Sequence, residues 1–576
     1  MKKIAIVGFG PRGLSALENL FLESFNQKLK TKFTVTLFEN TSQLGSGKIW
    51  NTDQPEINWI NISERALKNL KGRPEIKIHD ITIPSFPSYI QWLPKKEKKL
   101  KNTDADRFPP RKKMGKYLNE RSASILNVLE ENNLVRVVNL VIKNVDLQKD
   151  TLILTSLENH SFSFDEVLIS IGHQPTKIPE DVKEYQIASY NKNFSCFVET
   201  YPLSTIINSK EIDKEKNVAI RGLGLAMIDV VRALTVEKGG IFDLQNKNNF
   251  ASKFITNEGV PKQILPYSLD GLPMVPKPLN PKLDNAFKIS EKQAHLFENE
   301  INKVAKGIKK VSDNSFLKNI IAKISSEIFI ELENNNATEK RSKEELENTI
   351  VNWLSDIKFK DDLVEDIFSD TVTLIESFVE MACGEKPISL DYCVGQVWRH
   401  CQPIFYKSFS HAKVSEEIIA AVIELDEQIK RYSYGPPVES MQQILALSKA
   451  NILNFEYCNN PKITISEKAL HFENKKDKTD VQILINSVLD PPKLLEVTSP
   501  IIQNLLKNDL IEPIHSELGI HTQEDGRIIS SDSKKNIPLA VLGRLSKGSV
   551  VGVDAILECF GIRINNWAKG VVKRIK

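Results

Sequence analysis

The chain lacks the residues that would announce several kinds of chemistry. Its 576 residues include only six cysteines, Cys196, Cys383, Cys393, Cys401, Cys458 and Cys559, and no two form C-x-x-C. That wide spacing argues against a disulfide framework, a zinc site or the dithiol of a thioredoxin-reductase or lipoamide-type enzyme, and it points to a reducing cytoplasm. No apolar run approaches the ~20 residues needed to span a bilayer. The short apolar stretch after Met1-Lys2-Lys3 is broken by Pro11-Arg12, so no signal peptide or membrane partner is expected. An excess of one charge is also missing: 77 Lys+Arg stand against 74 Asp+Glu, which gives no reason to expect a nucleic-acid partner. The lysine clusters at 95–101 and 112–116 and the tail Lys573–Lys576 read as solvated surface. There is no H-E-x-x-H and no Ser/His/Asp order, so no metal is expected. The 41% apolar and 26% charged composition is that of a soluble globular protein. The length calls for two to four domains.

Against that background one stretch stands out. Ile4-Ala5-Ile6-Val7 is followed by Gly8-Phe9-Gly10-Pro11-Arg12-Gly13 and then by a helical pattern from Leu14. In a G-x-G-x-x-G turn, Gly8 permits the tight exit from the strand, Gly10 lets a pyrophosphate approach the backbone, and Gly13 lets the helix lie close to the sheet. The helix N-terminus offers free N–H groups to phosphate. A second strand, Phe33–Phe38, ends at Glu39, 26 residues beyond Gly13, where the fingerprint expects an acid at about 20. The polar stretch 26–32 accounts for the excess as a loop insertion, and Glu39 is expected to accept both hydroxyls of an adenosine ribose.

A weaker copy lies downstream. Residues 217–220 read as a strand, followed by Gly222-Leu223-Gly224 and a helix over 228–235, with Met227 in place of the third glycine. The apolar run 164–171 ends at Gly172-His173, and 480–487 repeats that pattern. His173 reads as a structural or ribose-side residue rather than a base. From about 285 to 450, helical spacing dominates: Leu296, Phe297, Ile301, Val304, Ala305, Ile308 and Val311 recur on one face. Asn334–Asn336 marks a loop and Ser342–Glu345 a capping box. The stretches 361–381 and 415–430 also read as helices. The tail returns to α/β character with a strand over 538–543, then an apolar helix through Val553, Ile556, Leu557 and Phe560. The expected fold is therefore α/β, with two Rossmann-like, doubly wound dinucleotide-binding domains and an inserted α-helical module. The boundaries are 1–200 for the first part of one dinucleotide-binding domain, 201–285 for a second dinucleotide-binding domain, 286–450 for a substrate or lid module, and 451–576 for the second part of the first domain.

Val7–Ser15 resembles the opening of the bacterial FAD-NAD(P)-binding flavoprotein family, related to flavin monooxygenases that N-hydroxylate amines and amino acids. The resemblance continues through Gly45–Trp50, Asp53-Gln54-Pro55, Asn61, Pro84-Ser85-Phe86, Trp92-Leu93, Phe108–Arg111, Gly115–Leu118, Arg221–Leu225 with Asp229, Gly271-Leu272-Pro273 and Trp398-Arg399. It implies FAD on Gly8, Gly10, Pro11, Arg12, Gly13, Glu39, Asn40, Gly47, Trp50, Gln54, Asn61 and Gly172. The terminal Gly543 and Ser549 would lie near the flavin. NADH or NADPH would dock on Gly222, Gly224 and Gly271. Gln54, Asn61 and Arg111 are the side chains it places nearest the chemistry. Family members often carry arginines where this chain has Leu269 and Asp270; an aspartate there would repel the 2′-phosphate of NADPH and favour NADH.

The activity that follows is an FAD-dependent oxidoreductase reduced by NAD(P)H, foremost a monooxygenase acting on a small molecule such as an amine or amino acid. Without a dithiol, electrons would pass from the flavin to dioxygen or another external acceptor. A simple reductase or oxidase, and a non-catalytic FAD-binding sensor or scaffold, are the alternatives. A working nicotinamide pocket separates the enzymes from the binder.

Overall fold

The computed structural model describes residues 1–78, 80–97, 100–191, 193–332, 341–530 and 537–576. Nine strands build its two principal sheets: β1 (Lys2–Val7), β2 (Phe33–Phe38), β3 (Val135–Val138), β4 (Glu166–Ile169), β5 (Ser195–Phe197), β6 (Asn217–Arg221), β7 (Gln263–Tyr267), β8 (Ile483–Asn486) and β9 (Leu539–Val541). The first sheet runs β9-β4-β1-β2-β3 and the second β5-β8-β6-β7, each parallel throughout. A parallel strand covered on both faces needs unbroken apolar sequence. β1 meets that demand, with Ile4, Ala5, Ile6 and Val7 all at most 4% exposed. β1 pairs Ile4 with Val35 on one side and with Glu166 on the other.

The helices that matter for the site are α1 (Pro11–Asn26), α2 (Arg111–Glu131) and α3 (Leu225–Thr235). The module contributes α4 (Glu291–Ala305), α5 (Ser315–Glu331), α6 (Lys343–Ser355), α7 (Thr371–Cys383), α8 (Leu390–Phe409), α9 (Glu416–Ser433) and α10 (Val438–Lys449), and the chain closes with α11 (Ile562–Ile575). α1, α2 and α11 cover one face of the first sheet through Leu17, Phe21, Leu118, Trp567 and Val571. The other face packs on a three-stranded antiparallel layer from 142–164 and on residues of 494–528 and 537–545. The helical module shares one continuous core with the second sheet, Val231 and Ile264 lying in the same cluster as Phe297, Trp398 and Ile444.

The two-sheet architecture with its helical insertion is the one read from the sequence, and several details differ. β5 and β8 both belong to the second sheet, so the strand at 195–197 and the run 480–487 lie across boundaries drawn at 200 and 450. Parallel pairing of β8 with β6 buries Ile483 and Ile485 in the second core, which pulls the late strand there. The apolar spacing past Ala305 does not continue α4: the chain turns at Gly307 (φ +72°), and Ile308 is 73% exposed. Residues 361–370 are turns, and α7 starts after Asp370, which caps it by accepting from Thr373 N. The capping box at Ser342 with Glu345 is formed. Asn334–Asn336 lies outside the described residues. The terminal helix starts at Ile562 rather than near Val553, because Gly552 and Gly561 interrupt the run and only a 3₁₀ turn, Ile556–Phe560, forms between them.

Two basic runs read as solvated surface are tied down. Arg574 donates to both carboxylate oxygens of Glu166 (2.6 and 2.9 Å) and to Asp525 (2.8 Å). Lys113 bridges Glu64 (3.0 Å) and Glu97 (2.6 Å). No helix among the described residues is long and apolar enough to cross a membrane.

Candidate functional site

The Gly8–Gly13 loop leaves β1 under two distinct constraints. A Cβ on Gly13 would stand 2.4 Å from the Gly8 carbonyl oxygen, and Gly8 itself has φ +91° with a virtual Cβ 2.7 Å from Ser170 O. Both glycines are therefore required by the fold alone. Gly10 differs: its virtual Cβ touches only Gly47 Cα, at 3.8 Å. Gly172, at the end of β4 beside Gly8, has nothing within 4 Å. Gly10 is the N-cap of α1, and no side chain caps that helix. The result is a shallow backbone cradle at an open helix N-terminus, the arrangement that holds a pyrophosphate.

The second loop repeats this geometry. Gly222, with φ +115°, is held by packing, since a Cβ would meet Ser487 Oγ at 2.8 Å. Gly224 is the N-cap of α3, has no side-chain cap, and has nothing within 4 Å of a Cβ. Met227, in the third position, turns into the apolar core at 6% exposure. Helix α3 therefore packs through a side chain where α1 packs through bare backbone.

Each chain position singled out by the sequence has a definite place. Glu39 ends β2 and faces the first loop: Oε2 accepts from Phe9 N at 2.8 Å, and Oε1 accepts from Thr41 N (3.1 Å) and Thr41 Oγ1 (3.0 Å). A carboxylate has about four lone-pair sites. Three are used, so taking two ribose hydroxyls requires releasing a Thr41 contact. Asn40 is exposed at the strand's end. Gly47, at φ +62°, brings the 43–47 turn onto Gly10, and Gly45 N donates to Phe9 O at 2.8 Å. Pro11 opens α1, and Arg12 reaches to the chain's far end: Nη2 donates to Val553 O at 3.1 Å, and a Cβ on Gly543 (φ +111°) would meet Arg12 Nη1 at 2.6 Å. The C-terminal segment thus closes against the first loop. Trp50 packs partly buried on the first core, its carbonyl so near α2 that a Cβ at Gly115 would sit 1.8 Å away.

The three side chains placed nearest the chemistry are all braces. Gln54 Nε2 donates to Ile49 O (3.0 Å) and Asn51 O (2.9 Å), while Oε1 accepts from Asn58. Asn61 donates to Tyr434 O (2.7 Å) and accepts from Lys277 Nζ through both its Oδ1 (2.7 Å) and its backbone carbonyl (2.5 Å). Arg111 donates to Asp229 Oδ2 at 2.6 Å, and the Tyr201 hydroxyl reaches the same oxygen at 2.5 Å. This pair links the start of α2 to α3. Burial opposes the Arg111 charge, yet Asp229 and Tyr201 raise its pKa. Burial and Asp229 raise that of Tyr201.

Ser549 is 1% exposed, accepting from Thr522 N at 2.9 Å and donating to Ile520 O; it fixes the C-terminal segment rather than lining a cradle. Gly271 packs against Asn459, and its carbonyl accepts from Thr371 Oγ1. Asp270 is paired with Arg431 at 2.5 Å. Burial pushes its carboxyl up, but Arg431 and Leu272 N hold it below its ordinary value. Its charge is answered within the protein, which weakens the repulsion toward a 2′-phosphate on which the leaning to NADH rested. Burial and Arg544 lower the pKa of His173. All six cysteines are free thiols.

Residues 5–174 match the family model described as FAD-NAD(P)-binding. The match runs from within β1 through β4 and includes both open glycines of the first cradle, Gly10 and Gly172. A protein of Escherichia coli (strain K12) described as uncharacterized, YdhS, is 25% identical over 254 residues, 42% of this chain and 41% of its own length. A nitrosuccinic acid synthase of Aspergillus oryzae is 25% identical over 244 residues, 42% of this chain and 36% of its own length. The chain thus spans about two fifths of the length of the curated relatives it matches. Among solved structures, an ornithine hydroxylase from Pseudomonas aeruginosa aligns over 100% of both chains at 10% identity, with a TM-score of 0.44.

The sequence reading missed Lys277, Tyr434, Tyr201 and Thr41. Only Thr41 had a local signal, as a hydroxyl two residues after the strand-end acid. The others come from distant elements and meet the site only in the folded chain.

Proposed function

We propose that the chain is an FAD-dependent oxidoreductase reduced by NADH or NADPH, and that it oxygenates a small molecule, an amine or amino acid in the first instance. The observation that carries the proposal is the doubling of one geometry. Two parallel sheets each end in a glycine loop at an uncapped helix N-terminus, with an open Cβ position at Gly10 and at Gly224. A pyrophosphate fits both positions on charge and on space. The first loop, with Glu39, would hold FAD; the second would hold the nicotinamide nucleotide.

When bound, FAD supplies the redox chemistry. The protein's own residues bind, orient and shield. The N–H groups at the N-termini of α1 and α3 would hold the phosphates. The Arg12–Val553 contact shuts the C-terminal segment over the first loop. The Arg111–Asp229–Tyr201 cluster ties α2 to α3. The absence of any paired thiol leaves dioxygen or an external oxidant as the electron acceptor. The Aspergillus relative supports nitrogen oxidation: a nitrosuccinic acid carries oxidised nitrogen on a dicarboxylic acid.

The test is spectroscopic. The purified chain, supplied with FAD, should bind it and show flavin absorbance, and anaerobic NADH or NADPH should bleach it. Reoxidation by air in the presence of candidate amines, with product analysis, separates oxygenation from simple oxidase turnover. A chain with no affinity for FAD would overturn the proposal, and a bound flavin that neither nucleotide bleaches would leave a binding protein.

A further inference from the structure

The far end of α3 carries a buried guanidinium that makes no ion pair among the described residues; Asp229 and Glu439 act on it only from a distance. Arg232 is 4% exposed. Its guanidinium carbon lies 3.7 Å from the centroid of the Trp59 ring. Nε donates to Gln443 Oε1 at 2.9 Å and Nη2 to Ser440 Oγ at 2.7 Å, both neutral acceptors, and among the described residues Nη1 makes no hydrogen bond. Asp229, one turn back on the same helix, is taken by Arg111 and Tyr201. Glu439 on α10 faces Arg232, but no ion pair forms within 4.0 Å among the described residues. A guanidinium does not shed its proton in a protein. A buried cation left unpaired is costly, and such groups are kept where something pairs with them.

Arg232 opens onto a cavity of about 390 Å³. Its walls include Ile57, Pro110, Val236, Ile241 and Phe242, with Trp59 along one side. The one carboxylate in the lining, Glu56, pairs with Lys112 at 2.7 Å. The volume is within the range of small-ligand sites. Arg232 stands eight residues beyond Gly224, about 12 Å along a helix at ~1.5 Å per residue, so this cavity is at the opposite end of α3 from the nucleotide loop.

We propose that the cavity is a separate binding site for a small organic carboxylate with an apolar body. The carboxylate would lie on the Arg232 guanidinium, in the plane its free Nη1 leaves open, and the body would lie against Trp59, Ile57 and Phe242. A single guanidinium matches a monoanion. A phosphate monoester, which carries close to two charges, would bring an uncompensated negative charge into an apolar pocket. The site is independent of the nucleotide cradles and stands whether or not the chain is an oxygenase.

Calorimetric titration of the full chain with benzoate, benzyl alcohol and phenyl phosphate tests it. Benzoate should bind at least tenfold more tightly than either of the other two. Arg232→Gln should weaken it at least tenfold. Because that change touches a buried residue, Ile241→Asp is the second variant: Ile241 is 60% exposed, so the substitution leaves the thermal midpoint in place while bringing a like charge to the rim, and it should weaken benzoate severalfold. Gly224→Ala should leave benzoate binding unchanged. Equal affinity for benzoate and benzyl alcohol, tighter binding of phenyl phosphate, indifference to Ile241→Asp, or no benzoate binding up to about 10 mM would each overturn the proposal.

Discussion

Gly224→Ala separates what the second loop does for the fold from what it does for a ligand. Gly224 has φ −84° and ψ −168°, a conformation any residue adopts, and an added methyl meets nothing within 4 Å. Alanine is a poorer N-cap than glycine, which costs a few tenths to about 1 kcal/mol. It also removes about 0.4–1 kcal/mol of unfolded-chain entropy where the backbone is compatible. The two nearly cancel, so the melting temperature of the nucleotide-free protein should move by less than about 2 °C. The methyl would occupy the space through which a pyrophosphate reaches the α3 N-terminus. Losing one charge-assisted hydrogen bond there costs about 1.5–3 kcal/mol, or roughly ten- to more than a hundredfold in Kd. Thermal melts, flavin content and NADH and NADPH titrations on one preparation are the assay. Unchanged melting and flavin content with at least tenfold weaker nicotinamide binding is the expected result. Wild-type nucleotide affinity in this variant would refute the assignment of the loop. Gly222→Ala is the contrast: its φ of +115° and the 2.8 Å approach to Ser487 Oγ should destabilise the fold by about 1–3 kcal/mol.

Among the described residues Glu18 is the one carboxylate paired with two buried guanidiniums, bonded to Arg73 at 3.1 Å and to Arg121 at 2.7 Å. Glu18→Gln should cost about 3–5 kcal/mol, seen as a lower urea midpoint, and a midpoint within error of wild type would contradict it. A double-mutant cycle on Arg111→Ala and Asp229→Asn should give a coupling energy above about 1 kcal/mol, because the 2.6 Å pair is largely shielded from water; additive single-variant losses would show that it does not tie α2 to α3. Burial, followed by the nearby Arg399, lowers Lys277 from 10.5 to about 7. Between those values the unfolded chain binds the extra proton. Stability should therefore rise with pH from about 7 to about 10.5, by up to about 1.4 kcal/mol per pH unit, and the cost of burying the charged amine is fully present below pH 7. Lys277→Met should flatten that limb, and an unaltered pH–stability curve would count against the neutral amine.

The first nucleotide loop was legible because every demand on it is local. Strand, turn glycines and helix start lie within about twenty residues, and each is set by backbone sterics that a sequence displays directly. The second loop was legible as a turn, but Met227 hid how α3 packs, since that depends on a core gathered from the helical module. The sheet to which 483–486 belongs could not be read from its apolar run, because both sheets accept the same buried parallel strand. The side-chain roles were the least legible. Gln54, Asn61 and Arg111 have the right polarity for a site, yet their partners at Asn58, Lys277 with Tyr434, and Asp229 turn them into braces. Two of those partner sets are more than a hundred residues away. The same distance hid Asp270's pairing with Arg431.

The first sheet takes its edge strand, β9, from residues 539–541, and α11 covers α1. Consequently, a sheet whose central strand lies at residues 2–7 is completed only by residues 539–541. The second sheet and the helical module can bury their shared core while the first sheet still lacks an edge, a face and the Gly543–Arg12 closure. During synthesis β4 would carry an unpaired edge, the kind of surface that invites misassociation, until residues 539–541 arrive. Flavin capture would then be a late event in the life of each molecule, and a lesion near residue 540 would read out as a flavin defect at residue 10.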